Sequence, residues 1–229
     1  MKVNAMAEAV LFDFGGTLDA DGLPWCDRFY AGYRAAGGTL ALVTFEQYFA
    51  ASDRLLARQT GVSAFGFQQM VEAQVETLSG LLPDTERLNR ADWCARFIGE
   101  TQSTITRNRP MLERLARRYE LGIISNFTGN LRPCLEELGV AQHFVVVFDS
   151  GVVGIRKPDA RLFRAAFDAL GRHPEECWMV GDNPFADIQP ATRLGCSTCW
   201  LAPVARTLPA GVVPTRRISA LSQLPAALG

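Results

Sequence analysis

Four short apolar runs recur along the chain, each closing on glycine or a small polar residue. Residues 8–14 read EAVLFDF and stop at Gly15-Gly16; the others are residues 121–125, 144–148 and 177–181. Unbroken apolar runs of this length, rather than an in-out alternation, mark strands buried on both faces of a parallel sheet. Between the last three lie segments of helical period, residues 131–138 and 160–170, the second with Leu162, Phe163, Ala166 and Leu170 at core-facing spacing. Strand and helix in alternation predict an α/β fold. A further helix is predicted over residues 185–194, with Asn183 as N-cap, Pro184 at the first helical position and Gly195 just past the end.

Residues 21–107 break this rhythm. They show no strand pattern but several helical ones, among them Phe45, Tyr48, Phe49, Leu55 and Leu56 behind a capping box of Thr44 and Gln47. Punctuation at Gly37-Gly38, Gly61, Leu82-Pro83 and Arg109-Pro110 divides the stretch into about four helices. The organisation expected is a core from residues 1–20 and 108–229, interrupted by an all-helical insertion over 21–107. A Pro-rich tail after Trp200 is predicted to add one short strand near 217–219 and a last helix.

Composition narrows the function classes. The 229 residues carry 23 basic and 24 acidic side chains, a net charge of -1, which gives no electrostatic case for nucleic acid or an anionic membrane surface. No apolar run approaches the roughly 18 residues of a membrane span, and the first residues do not read as a signal peptide. Six cysteines scattered through a chain of this size predict reduced thiols. A soluble, cytoplasmic protein is expected, as a monomer or homodimer. Arginine supplies 21 of the 23 basic residues; the two lysines are Lys2 and Lys157.

Three predicted strands end in Asp13, Ser125 and Asp182, and the carboxyl ends of parallel strands line the crevice where open α/β sheets bind ligands. Lys157 in the loop 154–158 and Asp187 at the start of the following helix join them. Three carboxylates brought together take up protons or gather a cation, and Mg²⁺ with Lys157 balances their charge. The same two cations would neutralise a phosphoryl group, whose transfer depends mainly on positioning and charge stabilisation. Hard oxygen ligands suit Mg²⁺, and a strand-end carboxylate in line with phosphorus is a covalent nucleophile.

Asp13-Phe-Gly-Gly-Thr-Leu18, Ile124-Ser125-Asn126, Lys157-Pro158-Asp159 and Gly181-Asp182-Asn-Pro-Phe-Ala-Asp187 resemble, in order, the four motifs of the haloacid dehalogenase-like (HAD) hydrolases. The resemblance runs from Val10 to about Leu201 and includes a long helical insertion after the first motif, as in the C1-cap subfamily. It implies a Rossmann-like parallel sheet core flanked by helices, with an inserted helical C1 cap. It further implies that Asp13 is the nucleophile and, with Asp182 and the carbonyl of Gly15, a Mg²⁺ ligand. Ser125, Asn126 through its backbone, and Gly16 would hold phosphate. Lys157 would bridge nucleophile and phosphate, and Asp187 would orient the lysine or a metal-bound water. The activity implied is Mg²⁺-dependent hydrolysis of a small phosphorylated metabolite through an aspartyl-phosphate.

One position departs from the pattern. Phosphatases of this family carry a second aspartate two residues after the nucleophile as general acid and base, where this chain has Gly15. A glycine still supplies a carbonyl to a metal, but not a proton, and general acid-base help is typically worth about 10²–10⁴ in rate. Four readings follow: a substrate with a good leaving group, such as an acyl or aryl phosphate; a stand-in acid, with Asp19 and Asp21 nearest; a non-phosphatase HAD reaction; or a catalytically weak module that binds a phosphorylated ligand. Dehalogenases of the family work without metal, and its phosphonoacetaldehyde hydrolases need a cap lysine that residues 21–107 lack. Among lesser signals, Cys196 and Cys199 are expected to be buried thiols and His143 and His173 to have surface or packing roles. Trp25, Phe29, Tyr30 and Tyr33 form an aromatic stripe of core type, with Trp25 or Arg28 near enough to the first motif to reach the crevice.

Overall fold

The computed structural model describes residues 8–83 and 88–229; the readings made for the first seven residues, Lys2 among them, lie outside these. The described residues form a six-stranded parallel sheet in the order β3-β2-β1-β4-β5-β6. The strands are β1 (Ala9–Phe12), β2 (Glu120–Ser125), β3 (Val146–Asp149), β4 (Cys177–Gly181), β5 (Ser197–Leu201) and β6 (Arg216–Ile218). β1 is fully buried, with Val10 and Phe12 in one apolar cluster and Ala9 and Leu11 in the other, as the two-residue period of a strand requires. The chain steps from β1 outward to β2 and β3, then returns to place β4 on β1's other side. That reversal opens the crevice at the carboxyl ends of β1, β2 and β4.

Four helices, α1 (Trp25–Ala35), α2 (Leu42–Leu56), α3 (Phe67–Leu81) and α4 (Arg90–Leu115), form the cap inserted after β1. The breaks at Gly37-Gly38, Gly61 and Leu82-Pro83 fall between helices, but the one predicted at Arg109-Pro110 does not occur, because α4 runs through it. An interior proline costs a helix about 3 kcal/mol. Burial on both sides outweighs it: Trp93 and Phe97 are covered in the cap, and Met111, Leu112 and Leu115 pack on the core. The Thr44/Gln47 capping box is not used either. The Tyr33 hydroxyl accepts from the backbone N–H of Thr39 (3.0 Å) and of Leu40 (3.1 Å), fixing the linker, and α2 starts two residues before Thr44.

The remaining helices are α5 (Leu131–Glu137), the single turn α6 (Ser150–Val153), α7 (Ala160–Leu170), α8 (Gln189–Arg193) and α9 (Leu224–Leu228). Asn183 caps a wide turn, Pro184–Ile188, that precedes α8, accepting from the N–H groups of Phe185 and Ala186 at 3.0 Å each. No helix among the described residues is long and apolar enough to cross a membrane.

Candidate active site

Register places the chemistry. Phe12 of β1 lies beside Ile123 of β2 and Val180 of β4, so Asp13 emerges between the ends of both neighbours. Its N–H still bonds to the Val180 carbonyl (2.9 Å), which holds the strand straight as far as the carboxylate. Asp13 Oδ1 accepts from Lys157 Nζ (2.7 Å) and from Ser125 Oγ (3.0 Å). No hydrogen bond from the described residues reaches Oδ2, and Asp13 lines the large cavity between core and cap.

Lys157 Nζ also donates to Asp187 Oδ1 (2.6 Å), and Asp187 Oδ2 accepts from the Asn183 N–H (3.0 Å), so both Asp187 oxygens are occupied. The lysine backbone is gripped at two points by Asn126, whose Oδ1 accepts from the Lys157 N–H (2.8 Å) and whose Nδ2 donates to its carbonyl (3.0 Å). Asn126 therefore positions the ammonium, a side-chain task that the motif alone did not show. Asp182 is held through Thr17: its backbone N–H donates to Thr17 Oγ1 (3.1 Å), and that hydroxyl donates to Asp182 Oδ1 (3.3 Å). Thr17 is fully buried and was not singled out from the sequence. Gly16 has φ +91°, and a Cβ there would sit 2.8 Å from Asp182 Oδ2, so only glycine fits the turn.

One oxygen from each of Asp13, Asp182 and Asp187 lies within 4.8 Å of the other two. Burial first, then the charges of Asp13 and Asp187, push the Asp182 carboxyl well above the usual carboxylate range. Burial likewise raises Asp187, to about 6, with Lys157 pulling against it. Burial disfavours the charge on Lys157, but Asp13 and Asp187 outweigh it and the pKa rises. One ammonium among three buried carboxylates leaves room for a divalent cation, and the all-oxygen donor set fits Mg²⁺.

The acids proposed to stand in for Gly15 are engaged elsewhere. Asp19 is fully buried; its Oδ1 accepts from the Gly16 N–H (2.7 Å), and its Oδ2 from Trp25 Nε1 (2.6 Å) and Arg28 Nη1 (2.7 Å). Asp21 binds Arg107 (2.6 Å), Asn108 (3.2 Å) and the Leu221 N–H (3.0 Å). Neither lines the cavity. Arg28 does not line it either, since its other nitrogen donates to Thr101 Oγ1 (2.8 Å) and the Phe97 carbonyl (3.1 Å). Trp25 does, and its indole lies against Gly15: a Cβ on that glycine would meet Nε1 at 3.2 Å and Cδ1 at 3.3 Å.

The cavity, about 600 Å³, extends from this floor to the cap, where Phe49 and Asp53 of α2, with Arg54 and Arg58, face Gln74 of α3; Arg156 joins from the core. Burial raises the Asp53 carboxyl, while Arg156, Arg54 and the Gln74 amide pull it down. Cys196 and Cys199 are buried free thiols on or beside β5, and burial pushes Cys199 up to about 12.

A family model for haloacid dehalogenase-like hydrolases matches residues 7–195. The chain belongs to this family. It is 44% identical over 92 residues, 40% of this chain and 37% of the relative, to a phosphoserine phosphatase of Thermus thermophilus. It is 32% identical over 117 residues, 50% of this chain and 52% of the relative, to the pyrimidine 5'-nucleotidase YjjG of Escherichia coli. These matches span about a third to a half of the relatives' lengths. A ribulose-1,5-bisphosphate 5-phosphatase of Halopiger xanaduensis is 29% identical over 211 residues, 86% of each chain. The solved HAD-hydrolase YfnB of Bacillus subtilis, bound to magnesium, aligns over 97% of this chain and 99% of its own, with a TM-score of 0.61 and 19% identity. A dehalogenase captured with an intermediate aligns over 96% of both chains at TM-score 0.66 and 18% identity. The structural likenesses carry the fold.

Proposed function

We propose that this HAD chain is a Mg²⁺-dependent phosphatase of a small phosphorylated metabolite, acting through Asp13. The observation that carries the reading is the bridge of Lys157 from Asp13 to Asp187, with Asp182 in the same cluster. Mg²⁺, held by Asp13, Asp182 and the Gly15 carbonyl, would supply positive charge to the phosphoryl oxygens. The phosphatase names of the relatives support the same class of substrate, and the excess of buried carboxylates favours it over metal-free dehalogenation.

Asp13 Oδ2, open to the cavity, attacks phosphorus; the Asp13–phosphorus bond forms as the bond to the leaving oxygen breaks, and that oxygen keeps the electron pair. Ser125 Oγ, the backbone of Asn126 and the Lys157 ammonium hold the phosphoryl group; Gly16, expected from the sequence to share this task, does not line the cavity and gives its N–H to Asp19. Water then attacks the aspartyl-phosphate, releasing phosphate and its proton and restoring the carboxylate. Asp187 keeps the lysine aligned throughout. With glycine at position 15 and Asp19 and Asp21 bonded elsewhere, the leaving oxygen takes its proton from water, so good leaving groups are favoured.

Turnover of acetyl phosphate and p-nitrophenyl phosphate with Mg²⁺, against Asp13→Asn, tests the reading; activity in the intact chain alone supports it, and equal rates refute it. The indole packed on Gly15 favours a second reading, a phospho-ligand binding module. That reading expects ligand-induced stabilisation and no turnover by the intact chain.

A further inference from the structure

Charge is divided unevenly between the two ends of the cavity. On the floor the carboxylates are in the majority: Lys157 bonds to Asp13 and Asp187, with Asp182 beside them. At the cap end the balance reverses, and Arg54, Arg58 and Arg156 line the cavity with a single carboxylate, Asp53. All three arginines are exposed, and among the described residues none forms an ion pair within 4.0 Å. Asp53 already accepts from the Gln74 amide, and one carboxylate among three guanidiniums leaves positive charge in excess.

The arginines come from both parts of the molecule. Arg54 lies in the last turn of α2, and the Arg58 N–H bonds to the Leu55 carbonyl (3.0 Å), so Arg58 follows one turn later on the same side. Arg156 belongs to the core loop and is the residue before Lys157. Its charge and that of Arg54 both act on Asp53, so core and cap bring positive charge to one carboxylate. Basic residues near a helix C-terminus meet its last carbonyls favourably, which accounts for Arg54 and Arg58 but not for Arg156.

An occupant of this end brings acceptors and negative charge. A hydroxyl accepts hydrogen bonds but leaves the repulsion among the guanidiniums in place, and an ammonium adds to it. A carboxylate or a phosphate answers both demands, and the guanidinium fork matches either with paired N–H···O bonds. Asp13 and the three arginines line the same cavity of about 600 Å³, so one small molecule spans both ends.

Resting on the phosphatase reading above, we propose that the substrate carries a second anionic group, a carboxylate or a phosphate, held by Arg54, Arg58 and Arg156 while its phosphoryl group sits at Asp13. Since two of these arginines belong to the cap and one to the core, the second anion also ties the cap to the core around the substrate. The arginines select the substrate and take no part in breaking its phosphorus–oxygen bond.

The test uses alkyl phosphates with tails of three and of five carbons, each ending in methyl, carboxylate, phosphate or ammonium, all with Mg²⁺. Calorimetry on Asp13→Asn at low ionic strength is expected to show an anionic tail binding about ten-fold or more tightly than the methyl tail of equal length, and the ammonium tail no more tightly. The larger gain, carboxylate or phosphate, identifies the group. Arg54→Gln together with Arg156→Gln, checked for an intact melting transition, should bring the ratio toward one. Arg164→Gln, at an exposed position of α7 that does not line the cavity, should leave it unchanged. Anionic tails that bind no more tightly than methyl at both lengths, or an ammonium tail that binds most tightly, would overturn the proposal. So would a ratio that survives loss of both arginines, or one that falls equally with Arg164→Gln. Acetyl phosphate has no second anion, so its turnover by the intact chain reports separately on the phosphatase reading, and the binding comparison does not depend on turnover.

Discussion

The floor and the cap wall of the cavity are built on opposite terms. On the floor, each side chain is tied to a neighbour: Lys157 to two carboxylates, Asp182 to Thr17, and Asn126 to the lysine backbone. On the wall, Arg54, Arg58 and Arg156 form no ion pair within 4.0 Å among the described residues, and Asp53 is met only by the Gln74 amide and the charges of Arg156 and Arg54. A saturated network holds its geometry before substrate arrives, which charge stabilisation requires. An unsaturated wall gains most when a ligand supplies what is missing, which is how selectivity arises. The floor is therefore built for reaction and the wall for choice.

Removing the ammonium strains the floor most. Lys157→Met is expected to lower kcat for acetyl phosphate by about 10²–10³-fold, since it removes a charge that meets the phosphoryl group and leaves buried carboxylates unpaired. Steady-state kinetics checks this, and a loss confined to KM would show that the floor merely binds. Arg28→Met breaks the tie beneath both regions. Asp19 joins the Gly16 turn of the floor to Trp25 and Arg28 of the cap, so stranding its carboxylate should cost about 3–5 kcal/mol in urea unfolding. A cost near zero would mean that floor and cap are not joined there.

Gly15→Ala sharpens the comparison at its closest point. Its Cβ presses on Trp25, and the expected loss is about 1–3 kcal/mol, read as a lower Tm. An unchanged Tm would mean that the indole moves freely and that an aspartate at position 15 would fit. Smallest is a pH effect far from the cavity. Burial raises Cys177 and Cys199 from the ordinary thiol value of 9.0 to about 12. Between those values the unfolded chain releases thiol protons that the folded chain retains, so stability falls as pH rises through the window. Urea midpoints at about pH 8 and pH 10 should show the fall, and replacing both cysteines by alanine should reduce it.

Much of the floor could be read from sequence because its residues sit where apolar runs stop. Asp13, Ser125 and Asp182 mark strand ends, and Lys157 stands out as one of two lysines. Strand ends alone do not separate chemistry from scaffolding. Asp149 ends β3 in the same way, yet its carboxylate accepts from the N–H groups of Gly129, Leu131 and Gly151 and braces the loop after β2. Asp19 and Asp21 resembled spare acids for the same reason: sequence distance from Asp13 says nothing about which donors a fold brings to a carboxylate. The wall was illegible because Asp53 and Gln74 meet only through the packing of α2 on α3. Local signals also yielded to tertiary burial at Pro110, where apolar contacts along α4 outweighed a helix breaker.

The central claim, a phosphoryl group carried on Asp13, is open to one direct measurement. The intact chain is acid-quenched during turnover of acetyl phosphate with Mg²⁺, and its peptides are mapped by mass spectrometry. The account predicts a phosphoryl group on the peptide containing Asp13, absent from Asp13→Asn. Phosphate release with that peptide never phosphorylated would contradict it.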